Sequence, residues 1–450
     1  MANPSLELHP PDHSLLTDLY QLTMAACYVG EGLDQRRASF ELFVRRLPDR
    51  FGYLIAMGLA QAIDYLEQFR FSDAQIQQLQ ATGIFDQVPD AFWALLRSTR
   101  FTGDVWAVPE GTPVFAHEPL LRIEAPLWQA QIVETYLLNA LNYQTLVATR
   151  SARMRDTAGS DALLLEFGTR RAFSPQASLW AARAALAAGL DATSNVLAAL
   201  QLGRQPSGTM AHALVMALGT LEGSEDQAFM AFHRYFPGAP LLIDTYDSIA
   251  AAERLSDRLR SGEMQLSGIR LDSGDLVAQS QRVRALLPDV AIFASGDLDE
   301  FEIARLQQAG ASIDGYGLGT RLVTGAPVNG VYKLVEIDGI PTFKASSGKA
   351  TYPGRKQIFR STQGDRLGLM DEPPLIDEQP LLQLVMQQGD RLSPPESLET
   401  IAQRTHSAVA NLPPEVRQIS QPVIVTPQLS EALRDLTEQA QHRLTKLQSA

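Results

Sequence analysis

Gly268-Ile269-Arg270-Leu271-Asp272-Ser273-Gly274-Asp275-Leu276 is the stretch on which the fold turns. A short apolar run stops at a carboxylate and a Ser-Gly turn follows. Asp275, a residue suited to cap a helix, then precedes a helical stretch over 275–287. The motif is therefore strand, turn, helix. Similar units lie on both sides. Apolar runs occur at Leu163–Leu165, Ser207–Ala211, Leu241–Ile243, Val290–Ala294 and Ile313–Leu318, with a weaker one at Ala192–Val196. Helical spacing separates most of them, over 175–188, 225–235, 247–261 and 299–309. Alternation of this kind predicts a parallel sheet wrapped by helices, and enough such units close into an α/β barrel.

The flanks have a different texture. Leu15, Leu19, Leu22 and Ala26 recur at helical spacing behind Ser14, a candidate N-cap, and 38–44 alternates like a strand. Residues 55–100 read as helical, with a turn near 81–83. Short extended pieces punctuated by Pro109, Gly111, Pro113 and Pro119 then suggest a small β module, and a long helix runs from Leu127 towards Arg155. Val331–Ile337 and Ile340–Lys344 flank Asp338-Gly339, a hairpin signal. The expected division is an N-terminal α+β domain over 1–125, a catalytic barrel over 126–328, and a segment over 329–450 whose hairpin and helices pack back on the N-terminal domain. The terminal parts together are expected to form a second, smaller α+β domain.

Composition narrows the partners. With 38 basic and 51 acidic residues among 450, the net charge is −13, so the chain has no general attraction for nucleic acid or anionic membrane. An anionic substrate must be held by local cations and backbone N–H groups. A single cysteine, Cys27, rules out an internal disulfide and fits a reducing cytoplasm. The opening residues lack a signal-peptide pattern, and no apolar run approaches the ~20 residues that span a bilayer. The expectation is a cytoplasmic protein.

In a parallel barrel the site lies beyond the C-terminal ends of the strands. The weak run contains Thr193–Asn195, and the others are followed by Glu166–Arg171, His212, Asp244–Asp247, Asp272–Asp275, Ser295–Asp297 and Gly319–Arg321. Any one of these could be a plain helix cap, but together they describe a polar rim. Ser295-Gly296-Asp297 and Gly317-Leu318-Gly319-Thr320 suit phosphate, because small residues at strand-to-helix turns expose backbone N–H groups. Lys344, Lys349, Arg355 and Lys356 form a basic run, a candidate anion site in an acidic protein. His212, on the proposed rim, could act as acid, base or phosphoryl acceptor. No pair of histidines has metal-ligand spacing on a predicted helix, and a Gly-x-Ser-x-Gly elbow and a Walker loop are missing from the sequence.

Several stretches resemble, in order, the motifs of nicotinate phosphoribosyltransferases. They are Leu16-Thr17-Asp18-Leu19-Tyr20-Gln21-Leu22-Thr23-Met24, Glu166-Phe167-Gly168-Thr169-Arg170-Arg171, Gly208-Thr209-Met210-Ala211-His212 and Ile269 through Leu276. Gly317-Leu318-Gly319-Thr320, Gly330-Val331-Tyr332-Lys333-Leu334 and the run from Lys344 to Gly354 continue the likeness. It covers about residues 14–360, and no motif is recognised beyond that. The resemblance implies an irregular TIM-like α/β barrel of the type II phosphoribosyltransferase kind. It also implies the conversion of nicotinate and 5-phosphoribosyl 1-pyrophosphate to nicotinate mononucleotide and pyrophosphate in NAD salvage. ATP hydrolysis would be coupled through a phosphohistidine, which falls on His212.

Carried over by position, the resemblance makes His212, Asp272 and Arg270 catalytic. Tyr20 and Phe167 would sandwich the pyridine ring, and Arg170, Arg270, Thr209 and Ser194 would complete the nicotinate site. Asp272, Gly296, Asp297, Gly319, Thr320 and Lys344 would hold phosphoribosyl pyrophosphate, with Asp272 a possible ligand for Mg²⁺. Relatives that use nicotinamide carry an acid where Ser194 stands. A neutral hydroxyl can donate to a carboxylate, which favours nicotinate. Ala192 departs from the glycine expected two positions earlier. Tyr20 is expected to reach a neighbouring subunit, giving a homodimer with shared sites. The alternatives are a transferase acting on nicotinamide or quinolinate, and a non-catalytic nucleotide-binding relative.

Overall fold

A computed structural model describes residues 6–344 and 351–449. The chain divides into two compact units. One, the barrel unit, comprises Val147–Ala326 and Leu398–Gln421; the other, the terminal unit, comprises Met1–Leu146, Pro327–Ser397 and Pro422–Ala450. The first boundary thus falls inside the helix Glu134–Ala158 rather than at 125. Residues 398–421, expected with the tail, belong to the barrel unit. The terminal unit holds more than half of the chain, not the smaller share expected.

The barrel unit is built on six parallel strands: β1 (Leu163–Glu166), β2 (Ala192–Thr193), β3 (Leu241–Leu242), β4 (Gly268–Leu271), β5 (Ala291–Ala294) and β6 (Gly315–Leu318). Their order across the sheet is β2-β1-β6-β5-β4-β3, so the first and last strands in sequence are neighbours in the middle. Leu164, Ile269, Leu271, Ile292, Ala294 and Leu318 are buried along these strands, as expected where helices cover the sheet. The helices Ser248–Ser261, Leu276–Leu286 and Glu300–Gln308 start at Asp247, Asp275 and Asp299, each of whose carboxylates accepts two backbone N–H bonds. Asp275 and Asp247 are therefore caps. The run Ser207–Ala211 is not a strand. It touches the edge of the sheet through one bond, Ser207 N–H to Thr193 O at 2.9 Å, and leads into the helix His212–Glu222. Ser207, Gly208 and Thr209 have little apolar surface to bury, so extended backbone there gains little from pairing.

In the terminal unit a seven-stranded sheet places Arg37–Val44 between Gly330–Ile337 and Pro119–Pro126, both antiparallel to it. Asp338 and Gly339 both have positive φ, 47° and 74°, the backbone of a type I′ hairpin turn. The strand after that turn is shorter than expected, Ile340–Pro341. The first helix runs Leu19–Gly30 and starts at Asp18, not at Ser14, whose hydroxyl instead accepts Arg70 N–H. A second sheet of four strands contains the hairpin Lys356–Ser361 and Gly364–Leu369. Lys349 lies outside the described residues. Among the described residues no helix is long and apolar enough to cross a membrane.

Candidate active site

The C-terminal ends of β1, β3, β4, β5 and β6 bring most of the predicted residues together. His212 is the first residue of its helix, where unpaired backbone N–H groups and the helix dipole favour negative charge. Its side chain is about two-fifths exposed. Nδ1 stands 3.1 Å from Thr245 Oγ1, and Nε2 stands 3.9 Å from Asp244 Oδ1. Asp244 is almost fully buried at the end of β3. Its Oδ2 accepts the Asp272 N–H at 2.8 Å and the Ser273 hydroxyl at 2.7 Å, while Oδ1 has no hydrogen-bond partner.

Arg270, on β4, is the other anchor. Nη2 donates to Met210 O at 2.9 Å, and Nη1 reaches Ser295 Oγ at 3.4 Å and Asp272 Oδ1 at 3.5 Å. The Ser295 hydroxyl donates in turn to Asp272 Oδ1. Arg270 thereby ties the 207–212 segment to β4 and β5. Burial pushes its guanidinium below the usual range; the carboxylates of Asp272 and Asp244 oppose this, and the charge of Arg170 adds to it. Buried Arg270 Nε has no hydrogen-bond partner. A buried donor and a buried acceptor left open on one rim are costly unless a ligand engages them.

Phe167 follows β1. The Arg270 guanidinium lies 5.8 Å from its ring centroid. Gly317 makes room for the ring, since a Cβ there would come within 2.6 Å of it. Glu166, buried just before Phe167, accepts the Gly168 N–H and the Thr193 hydroxyl, and so joins β1 to β2. Burial pushes its carboxyl up, and those two bonds oppose the shift. Ser194 is half-buried, with Gly208 beside it. Thr209 donates to Met210 O at 3.1 Å, and Arg170 is exposed on the loop after Phe167.

The phosphate candidates sit at the turns after β5 and β6. Gly296 has φ +99°, and a Cβ would meet Asp272 O at 2.4 Å, so this close approach requires glycine. Asp297 also has positive φ, 51°. Gly319 precedes the short helix Thr320–Val323, with Thr320 at its first position.

Tyr20 and Lys344 belong to the terminal unit. Tyr20 is about half exposed on the first helix, its hydroxyl 3.5 Å from Glu134 Oε2. The Lys344 N–H donates to Thr351 Oγ1 at 3.0 Å. Thr351 lines a cavity of about 300 Å³ with Arg45, Arg46, His117 and Tyr352. Arg45 and Arg46, which follow the strand Arg37–Val44, were not among the predicted site residues; adjacent arginines just past a strand end are the signal that points to them.

Two members of the predicted basic run do not serve an anion site. Lys356 is fully buried, 2.9 Å from Glu41, and donates to Tyr352 O and Gly354 O. Arg355 is matched by Glu336 at 3.2 Å, Glu124 at 3.5 Å and Asp371 at 3.6 Å. Their charges are neutralised by carboxylates that lie far from them in sequence. Asp244, Thr245 and Ser295 were visible only as polar strand ends, and their contacts to His212, Asp272 and Arg270 follow from strand order. Among the described residues no group of three or more His, Cys, Asp or Glu side chains could hold a metal ion.

Family models match this chain over three stretches. Residues 15–142 match the nicotinate phosphoribosyltransferase N-terminal domain, 162–298 the nicotinate phosphoribosyltransferase family, and 373–437 the nicotinate phosphoribosyltransferase C-terminal domain. The last match falls where the sequence showed no recognisable motif. A nicotinate phosphoribosyltransferase of Mycobacterium tuberculosis is 41% identical over 423 residues, covering 90% of this chain and 89% of that protein. One of Bacillus subtilis is 42% identical over 390 residues, covering 80% and 76%. The crystal structure of human nicotinic acid phosphoribosyltransferase superposes with a TM-score of 0.83 at 31% identity, covering 94% of this chain and 99% of that one.

Proposed function

Because this chain belongs to the nicotinate phosphoribosyltransferase family, we propose that it joins nicotinate to the ribose of 5-phosphoribosyl 1-pyrophosphate, forming nicotinate mononucleotide and pyrophosphate in NAD salvage. ATP hydrolysis is coupled to that transfer through phosphorylation of His212. The observation that carries this reading is a pair of open buried atoms on this rim: Arg270 Nε, on the side chain that binds Met210 O, and Asp244 Oδ1, 3.9 Å from His212 Nε2. The first calls for an anion and the second for a proton donor. A phosphorylated imidazole with anionic substrates supplies both.

In this reading Arg270 and Arg170 face the nicotinate carboxylate, where the guanidinium fork matches paired oxygens. Phe167 stacks on one face of the pyridine ring, and Tyr20 is supplied to the other face by the second copy of a homodimer. Thr209 and Ser194 donate to the acid, and a hydroxyl at 194 offers no carboxylate to a nicotinamide N–H. Gly296, Asp297, Gly319 and Thr320 hold the ribose 5-phosphate through backbone N–H groups, and Lys344 adds a cation for pyrophosphate.

Mg²⁺ tends to bind through one or two carboxylates together with substrate phosphates, and Asp272 is the carboxylate available for it. Bound there, the ion would offset phosphate charge. Positioning and electrostatics supply the rate as the ribose centre develops positive charge. A cytosolic setting is proposed on the single cysteine.

The test is an assay of purified protein with phosphoribosyl pyrophosphate and nicotinate, nicotinamide or quinolinate, each with and without ATP. Mononucleotide from nicotinate alone, increased by ATP, is expected. Turnover of either other pyridine at a comparable rate would sink the assignment.

A further inference from the structure

The surroundings of His212 distinguish its two ring nitrogens. A neutral imidazole has one N–H and one lone pair, and its neighbours decide which nitrogen carries which. Nε2 faces Asp244 Oδ1, a buried carboxylate oxygen with no hydrogen-bond partner. The other oxygen of that carboxylate is already engaged by Asp272 N–H and the Ser273 hydroxyl, which hold it in place. A carboxylate can only accept, so it favours the tautomer protonated at Nε2. Nδ1 then carries the lone pair. Its neighbour is the Thr245 hydroxyl, 3.1 Å away, which can donate to it. Both neighbours come from adjacent residues in the turn after β3, so one turn brackets the ring.

Resting on the reading that His212 is phosphorylated, we propose that Thr245 is the positioning residue that presents Nδ1 as the phosphoryl acceptor. The lone pair of Nδ1 attacks the terminal phosphorus of ATP. The bond from that phosphorus to the bridging oxygen breaks, and ADP leaves with the electron pair. No proton has to leave the ring. The product is an Nδ1-phosphorylated imidazole with its N–H still on Nε2, its positive charge opposite Asp244. Displaced from Nδ1, the Thr245 hydroxyl donates to a phosphoryl oxygen, and the start of the helix His212–Glu222 offers further N–H groups to the phosphate. Thr245 thus acts through the histidine rather than on substrate.

The test is to phosphorylate the intact protein with γ-labelled ATP, digest it in alkali, and separate the two phosphohistidine isomers against synthetic standards. The Nδ1 isomer is expected from the wild type. Thr245→Val should lower its yield by roughly tenfold, the scale of one lost hydrogen bond. Thr245→Ser should restore it, which a purely structural role for the threonine methyl would not predict. The Nε2 isomer in the wild type, or an unchanged Nδ1 yield in Thr245→Val, would overturn the assignment while leaving the proposed function intact. Absence of any phosphohistidine in the wild type would overturn both. The wild-type isomer is decisive even should the valine variant fail to fold.

Discussion

Arg270 shows how much one side chain can carry. Its fork ends on Met210 O, Ser295 Oγ and Asp272 Oδ1, while Nε stays open. Lysine keeps the charge but not the fork, so Arg270→Lys is expected to lower kcat/KM for nicotinate by about a hundredfold, two to three kcal/mol, and to lower the melting temperature as the tie to Met210 O is lost. Steady-state kinetics beside a thermal melt checks this; a loss below threefold would remove Arg270 from the site. Gly317 gives a second prediction. A methyl group there collides with the Phe167 ring. Gly317→Ala should raise the KM for nicotinate by roughly tenfold, in line with the usual cost of overpacking, and leave the KM for phosphoribosyl pyrophosphate nearly unchanged. Equal shifts in both would argue against a pyridine-stacking role for Phe167.

At the scale of the element, the turns after the strands matter more than the strands. The β5 turn combines Gly296 at φ +99° with Asp297 at φ 51° against the backbone of Asp272. Two neighbouring strand ends are therefore held together by backbone contact. Gly296→Ala meets both a disfavoured backbone and a clash, so it should cost about 1–3 kcal/mol of stability. It should also weaken phosphoribosyl pyrophosphate binding, measured by urea unfolding and by titration calorimetry. Full stability together with wild-type affinity would show that the turn does not need glycine. The strand-turn-helix rhythm of 268–276 was legible because burial on both faces demands apolar runs and helix starts demand caps. Ser207–Ala211 misled because the apolar residues there are few and pairing is decided by what lies alongside.

Stability of the molecule as a whole depends on charges buried inside the terminal unit. Lys356 and Glu41 meet at 2.9 Å in the terminal unit, with Arg122 3.8 Å from the same carboxylate. Removing one member strands the others, so Lys356→Met should cost roughly 3–5 kcal/mol in urea unfolding. Glu41→Leu combined with Lys356→Met should cost less than the two single losses added together; strict additivity would mean the pair is not coupled. A second group sets the pH response. Burial, reinforced by the charge of Asp365, pushes the Glu118 carboxyl well above the carboxylate range. The folded state thus binds the proton more tightly than the unfolded chain. The stabilisation is complete below the ordinary glutamate range and is lost as pH rises through the raised value. Glu118→Gln should therefore flatten the fall of melting temperature with rising pH. An unchanged slope would mean that Glu118 stays ionised in the fold.

By itself the sequence determined the alternation of strand and helix, the polar rim and the family likeness, because periodicity and capping are local and motifs are read in order. It also marked His212, Arg270, Asp272 and Phe167. Only the tertiary structure decided the order β2-β1-β6-β5-β4-β3 and the boundary inside the helix Glu134–Ala158. It also decided that Lys356 is a buried counter-ion and that Asp244 and Thr245 bracket one imidazole. Partners such as Glu41 and Lys356 are set by which surfaces pack, and residues far apart in the chain carry no local signal of the charge they will meet.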